Sequence, residues 1–350
     1  MKIVRFVLIG AGNVGRRFLE LVALKEDTLR DRLGLALVPV GVADRSGTAV
    51  CPDGLDARLV AEYKAAGGRL GAYPGWGQAG LSPLQLAESV DVDLLLEASP
   101  ANLRDGQPGL GCIETALARG MHVVTANKAP LVLGLPRLLA RAQAYGVELR
   151  FDATVAGGLP AINLGRRDLP FAGIDRLEGI LNLTTNYILT SMAERGLSYD
   201  EAVAYAQSAG HAESDPSLDV DGWDAANKLV ILAHSVLGYP AQLAHVTVQG
   251  IAGIGADELR RAIAEGKRIK PLATAERAGR GYRLTVGPAW LDADHPLARL
   301  GAEQMGIVYY TDVCGTISAA IVEETPLPTA AAMLRDVVDI YLYRDRLGDL

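Results

Sequence analysis

The chain opens with an apolar run of strand length, Lys2-Ile-Val-Arg-Phe-Val-Leu-Ile-Gly10, and then switches to the helical spacing of Arg16–Leu24. Leu35–Ala43, Val90–Ala98 and Met121–Thr125 are further short apolar runs, separated by helical stretches. Such runs fit parallel strands covered on both faces. Leu138–Tyr145 reads as a helix closed by Gly146, with a strand over 147–152. The Gly-Gly and Pro of Phe151–Pro160 then interrupt the pattern. Beyond them the spacing predicts a strand over Ile174–Leu183, an amphipathic helix over Tyr199–Ser208 and a buried helix running into Leu229–Ala233. Strands follow at Arg268–Ala275 and Gly281–Gly287, and a last helix starts at Thr329. The expected fold is α/β: a doubly wound domain over 1–135, then an α+β domain with a mixed sheet over 136–328. The helix over 329–350 is a candidate to return to the first domain.

Gly10-Ala-Gly12-Asn-Val-Gly15 lies between the first strand and its helix. In that setting Gly10 allows the tight turn, Gly12 lets backbone approach a pyrophosphate, and Gly15 lets helix and strand pack closely. The helix start offers free N–H groups to phosphates. This reads as a dinucleotide site. The second strand ends at Asp44-Arg45. An acid there accepts from the adenine ribose and favours NAD, whereas an arginine receives a 2′-phosphate and favours NADP. The two neighbours leave NAD and NADP both open.

With 350 residues the chain has room for two domains with sizeable cores. A formal net charge of −7 and the lack of a basic run argue against a nucleic-acid partner. No apolar stretch approaches the roughly 20 residues of a membrane span, and the first residues form a strand without signal-peptide layout, so a cytoplasmic enzyme is expected. Cys51, Cys112 and Cys314 lack CxxC spacing, and the five histidines show no zinc pattern. The expected chemistry is that of lysine and carboxylates acting on a small molecule with a diffusible cofactor.

Gly210-His-Ala-Glu-Ser-Asp-Pro-Ser-Leu-Asp-Val-Asp-Gly-Trp-Asp-Ala-Ala-Asn-Lys228 sets five acids ahead of a lysine that enters an apolar run. Asp224 and Lys228 are one helical turn apart and share a face. The plain reading is an exposed ion pair. The alternative is a site for proton transfer or for gripping a zwitterion.

Together with Thr125-Ala-Asn-Lys-Ala-Pro130, Ala153-Thr-Val-Ala-Gly-Gly-Leu-Pro160 and Gly179-Ile-Leu-Asn-Leu-Thr-Thr-Asn-Tyr-Ile-Leu189, this stretch resembles homoserine dehydrogenase, in order over nearly all of the chain. The resemblance implies a Rossmann-like first domain, a second domain that also dimerises, and a homodimer. It implies reversible reduction of L-aspartate 4-semialdehyde to L-homoserine by NADH or NADPH, a step in making threonine, methionine and isoleucine. Lys228 would donate the proton, and Lys128 would sit between coenzyme and substrate and orient the carbonyl. Glu213 and Asp224 would bind the substrate, with Asp219 supporting the lysine. Gly10, Gly12, Asn13, Val14, Gly15, Asp44, Arg45, Ser99, Lys128 and Gly210 form the implied coenzyme set. The carbonyls of Asp152, Val155, Gly157 and Leu159 would hold a monovalent cation, Na⁺ or K⁺.

Three departures stand out. Leu183 replaces a usual glycine and His211 a usual aromatic ring, and Glu323-Glu-Thr-Pro-Leu-Pro-Thr329 replaces a glycine-rich loop. They keep two alternatives open: a dehydrogenase of another small amino-acid-like carbonyl, or a non-catalytic nicotinamide-nucleotide-binding protein. The chain stops at Leu350, so a C-terminal amino-acid-sensing domain is not expected.

Overall fold

The structure is a computed structural model and describes residues 1–342. The chain divides into two compact units, Met1–Gly158 with the stretch from Thr325 onward, and Leu159–Glu324.

In the first unit the elements run β1 (Lys2–Ile9), α1 (Asn13–Leu24), β2 (Leu35–Asp44), β3 (Gly47–Val50), α2 (Ala57–Ala65), β4 (Gly77–Gln78), α3 (Pro83–Ser89), β5 (Leu94–Glu97), α4 (Gly109–Ala118), β6 (His122–Thr125), α5 (Lys128–Ala144) and β7 (Leu149–Arg150). They build a seven-stranded sheet in the order β4-β3-β2-β1-β5-β6-β7. Strands β1, β2, β5, β6 and β7 are parallel, β3 pairs antiparallel with β2, and β4 pairs antiparallel with β3. The chain leaves β1 for β2 on one side and later returns to β5 on the other. Ligands of such sheets bind in the crevice beyond the carboxyl ends at that reversal. One core joins Phe6 and Leu8 of β1, Phe18 and Leu19 of α1, and Met333, Val337 and Ile340 of the last helix.

That last helix, α12 (Leu327–Leu342), packs on α1 within the first unit. Its expected continuation over 343–350 lies outside the described residues. The first unit also extends past residue 135, to Gly158, because α5 begins at Lys128 and leads into β7, the sheet's outer strand. The expected helix over Leu138–Tyr145 is only the second half of α5: Pro130 sits in its first turn, and the backbone kinks at Gly134 near Pro136, which hides the start from helical propensity.

The second unit runs α6 (Ala161–Asn163), β8 (Ile174–Ile180), α7 (Leu183–Arg195), α8 (Tyr199–Ser208), α9 (Ser217–Val220), α10 (Trp223–Ser235), β9 (Val246–Val248), α11 (Ala256–Ala264), β10 (Lys267–Ala278), β11 (Gly281–Asp292), β12 (Gln304–Thr311) and β13 (Thr316–Val322). Its mixed sheet has the order β13-β12-β8-β10-β11-β9, with β9 parallel to β11 and the other pairs antiparallel. The expected strand over Ile174–Leu183 stops at Ile180. Asn182 accepts the Thr185 N–H at 2.8 Å and starts α7 instead. Among the described residues no helix is long and apolar enough to cross a membrane.

Candidate active site

The glycines after β1 shape a cradle. Gly10 has φ +95°, and a Cβ there would stand 2.5 Å from the backbone of Ala98 and Ser99 beyond β5. A Cβ on Gly15 would lie 1.9 Å from the Gly10 carbonyl oxygen, so only glycine lets α1 come this close. Gly12 faces open space and caps α1 without a side chain, which leaves the first N–H groups of that helix to an anion. Gly10 and Gly12, with Asn13, Val14 and Ser99, border a cavity of about 950 Å³. Its size and glycine-lined floor fit a dinucleotide, with the pyrophosphate on α1.

Asp44, Arg45 and Lys64 also line this cavity. Asp44 Oδ1 accepts from the Ser46 N–H at 2.7 Å and the Ser46 hydroxyl at 2.5 Å, while Oδ2 pairs with Lys64 Nζ at 2.6 Å. Burial pushes the Asp44 carboxyl up, but Lys64 and Ser46 outweigh it and hold the group below its ordinary value. Arg45 is exposed at the rim. Lys64 is a site residue that sequence reasoning missed. It comes from the last turn of α2, and nothing near it in the chain marks it as a partner of Asp44.

Ser99 also donates to Glu97. That carboxyl is fully buried and accepts from the Ser99 N–H at 2.8 Å, the Ser99 hydroxyl and the Thr125 hydroxyl at 2.9 Å. Burial raises its pKa, and these donors oppose the rise. Asn127 caps α5 by accepting the Ala129 N–H at 3.0 Å, and its amide reaches Ser99 Oγ at 3.3 Å. Lys128 is thus the first residue of a capped helix, half-buried, immediately after a turn tied to Ser99.

The second unit gathers the other expected group. Lys228 Nζ lies 2.7 Å from Asp224 Oδ2 and donates to the Leu181 carbonyl at 2.7 Å. The Asn182 amide donates to both Asp219 Oδ1 and Asp224 Oδ2 at 2.7 Å. Burial and then Asp224 raise the Asp219 pKa, against Asn182 and Lys228. The pair is no surface ornament, since the Asp224 side chain is 7% exposed and that of Lys228 16%. Two carboxylates face one ammonium, so the cluster carries an excess negative charge suited to a second cationic group.

The family model for homoserine dehydrogenase matches residues 160–338. A homoserine dehydrogenase of Methanocaldococcus jannaschii is 35% identical, over 96% of this chain and 98% of its own. The chain belongs to the homoserine dehydrogenase family. An NAD⁺-dependent homoserine dehydrogenase of Pseudomonas canavaninivorans is 33% identical over 96% of each chain. Among solved structures, a hyperthermophilic archaeal homoserine dehydrogenase mutant in complex with NADPH is 27% identical, with a TM-score of 0.85 and 98% coverage of both chains.

In this member of the homoserine dehydrogenase family the expected substrate residues divide. Asp219, Asp224 and Lys228 cluster, and Asp224 rather than Asp219 touches the lysine. Glu213 stands on an exposed loop, where its carbonyl accepts from Gln207 Nε2 at 3.0 Å; no ion pair joins its carboxylate to the cluster among the described residues. Gly210 follows α8 with φ +78° in the second unit. Leu183 is the half-buried first residue of α7. His211 packs on Tyr187 with ring centres 4.3 Å apart and reaches Glu303 at 3.3 Å. Glu323, in the segment that replaces a glycine-rich loop, is buried.

Proposed function

We propose that this protein catalyses the reversible reduction of L-aspartate 4-semialdehyde to L-homoserine. The carrying observation is the buried Asn182–Asp219–Asp224–Lys228 cluster. Hydride arrival at an aldehyde carbon builds negative charge on oxygen, and a positioned ammonium stabilises that charge more than it stabilises the neutral aldehyde. Lys228 holds the proton that goes to this oxygen, and Asp224 and the Leu181 carbonyl fix the direction of Nζ. Asp219, held by Asn182, supplies negative charge for the α-ammonium of the substrate, and Glu213 adds a carboxylate from the exposed loop. Lys128 orients the carbonyl from the start of α5.

A nicotinamide coenzyme supplies or accepts the hydride when bound. Gly10 and Gly12 would make room for its pyrophosphate, Gly15 lets α1 close on the turn, and Asp44, Arg45 and Lys64 would face its adenine ribose. One acid beside two cations supports use of both NAD and NADP. The test is absorbance at the nicotinamide band with homoserine against other hydroxy amino acids, each with NAD⁺ and NADP⁺. Preference for homoserine supports the reading; faster turnover of another hydroxy amino acid rejects it.

A further inference from the structure

We infer that Arg335 supplies from within the chain the positive charge that a monovalent cation was expected to bring to the Asp152–Leu159 turn, so that this protein has no Na⁺ or K⁺ requirement. The inference does not depend on the substrate proposed above.

The turn is held by two successive residues of α12. Arg335 Nη2 stands 2.5 Å from Asp152 Oδ2, and Nη1 and Nη2 donate to the Gly158 carbonyl at 3.4 and 3.3 Å. Asp336 Oδ2 accepts the Asp152 N–H at 2.9 Å. Between these anchors the backbone passes through two left-handed residues, Ala156 at φ +55° and Gly157 at φ +58°. Alanine is rarely found there, so the turn needs outside support. The Asp152 side chain is fully buried, and the guanidinium is its ion-pair partner.

This donor set does not fit a carbonyl-bound monovalent ion. Gly158 lies between two of the four expected ligands, and its oxygen already receives a guanidinium. Two of the expected carbonyls are engaged by backbone: Asp152 O accepts the Val155 N–H at 3.3 Å, and Leu159 O accepts the Ala161 N–H at 2.7 Å. The arginine does the ion's structural work as a fork of fixed donors, which a spherical ion cannot match in direction.

The experiment compares melting temperature and turnover in NaCl, KCl and tetramethylammonium chloride at one ionic strength. Equal values in all three salts are expected for the unaltered protein. Arg335→Ala should melt several degrees lower and regain part of the loss in Na⁺ or K⁺ but not in tetramethylammonium. Arg335→Lys, which keeps the charge without the fork, covers failure of the alanine variant to fold, and it should remain indifferent to the cation. A saturable rise in melting temperature with Na⁺ or K⁺ in the unaltered protein overturns the inference. So does an Arg335→Ala protein that melts unchanged, or an Arg335→Lys protein that responds to these ions.

Discussion

Lys64 Nζ stands 2.6 Å from Asp44 Oδ2, and both side chains are 14% exposed. The acid that ends β2 is therefore already paired before any ligand enters the cavity. Its other oxygen is held by Ser46, which fixes the β2–β3 turn. An unpaired carboxylate at this position would repel a 2′-phosphate; here Lys64 offsets that repulsion and Arg45 adds a second cation at the rim.

Lys64→Ala should accordingly weaken NADPH binding by about tenfold, since a charge-assisted contact contributes roughly 1.5–3 kcal/mol before solvent screening. NADH, which lacks the phosphate, should change by less than about threefold. Fluorescence titration of the two reduced coenzymes measures both constants. Equal losses for both would show that Lys64 only braces the turn.

Asn182 joins the helix start to the acids. Asn182→Ala removes the cap of α7, at a cost of about 1 kcal/mol, and both amide bonds to Asp219 and Asp224. The expected result is a modest fall in melting temperature with a larger rise in KM for homoserine. Asn182→Asp keeps a capping oxygen but adds a third negative charge, so it should recover stability better than KM. Recovery of both together would contradict the proposed role.

Lys270 gives a pH signature. Its ammonium is buried and donates to Asn186 Oδ1 at 3.1 Å, Thr190 Oγ1 at 2.9 Å and the Leu300 carbonyl at 2.7 Å, all neutral acceptors. Burial lowers its pKa to about 8, against roughly 10.4 in an unfolded chain. Between these values the unfolded state binds more protons, so stability should rise with pH and level off above the unfolded value. Below about 8 both states are charged and the full penalty, up to about 3 kcal/mol, is present. Denaturant unfolding of the native protein and Lys270→Met across pH 7.5 to 10 checks this. The difference between them should shift toward the native protein as pH rises; a constant difference would remove Lys270 as its source.

Much of this was legible because some physics is local. Gly10, Gly12 and Gly15 announce themselves by spacing, and Asp224 and Lys228 lie one helical turn apart. Other features arise between distant segments. Lys64 meets Asp44 across a hairpin, Arg335 meets Asp152 from the far end of the chain, and Glu97 becomes a hub only when β5 and β6 lie side by side. The apolar pattern of Leu181-Asn182-Leu183 carries the expected strand past Ile180, and only the cap hydrogen bond marks Asn182 as a helix start.

Lys228 as the proton donor is the central claim, and turnover of Lys228→Ala tests it most directly. General acid catalysis supplies about 10²–10⁴-fold, and kcat should fall by that order in both directions. NADH affinity, read by fluorescence on the same preparation, should stay unchanged because the contribution belongs to the transition state. A kcat within a few-fold of the unaltered protein would contradict the account and leave Asp224–Lys228 as a structural ion pair.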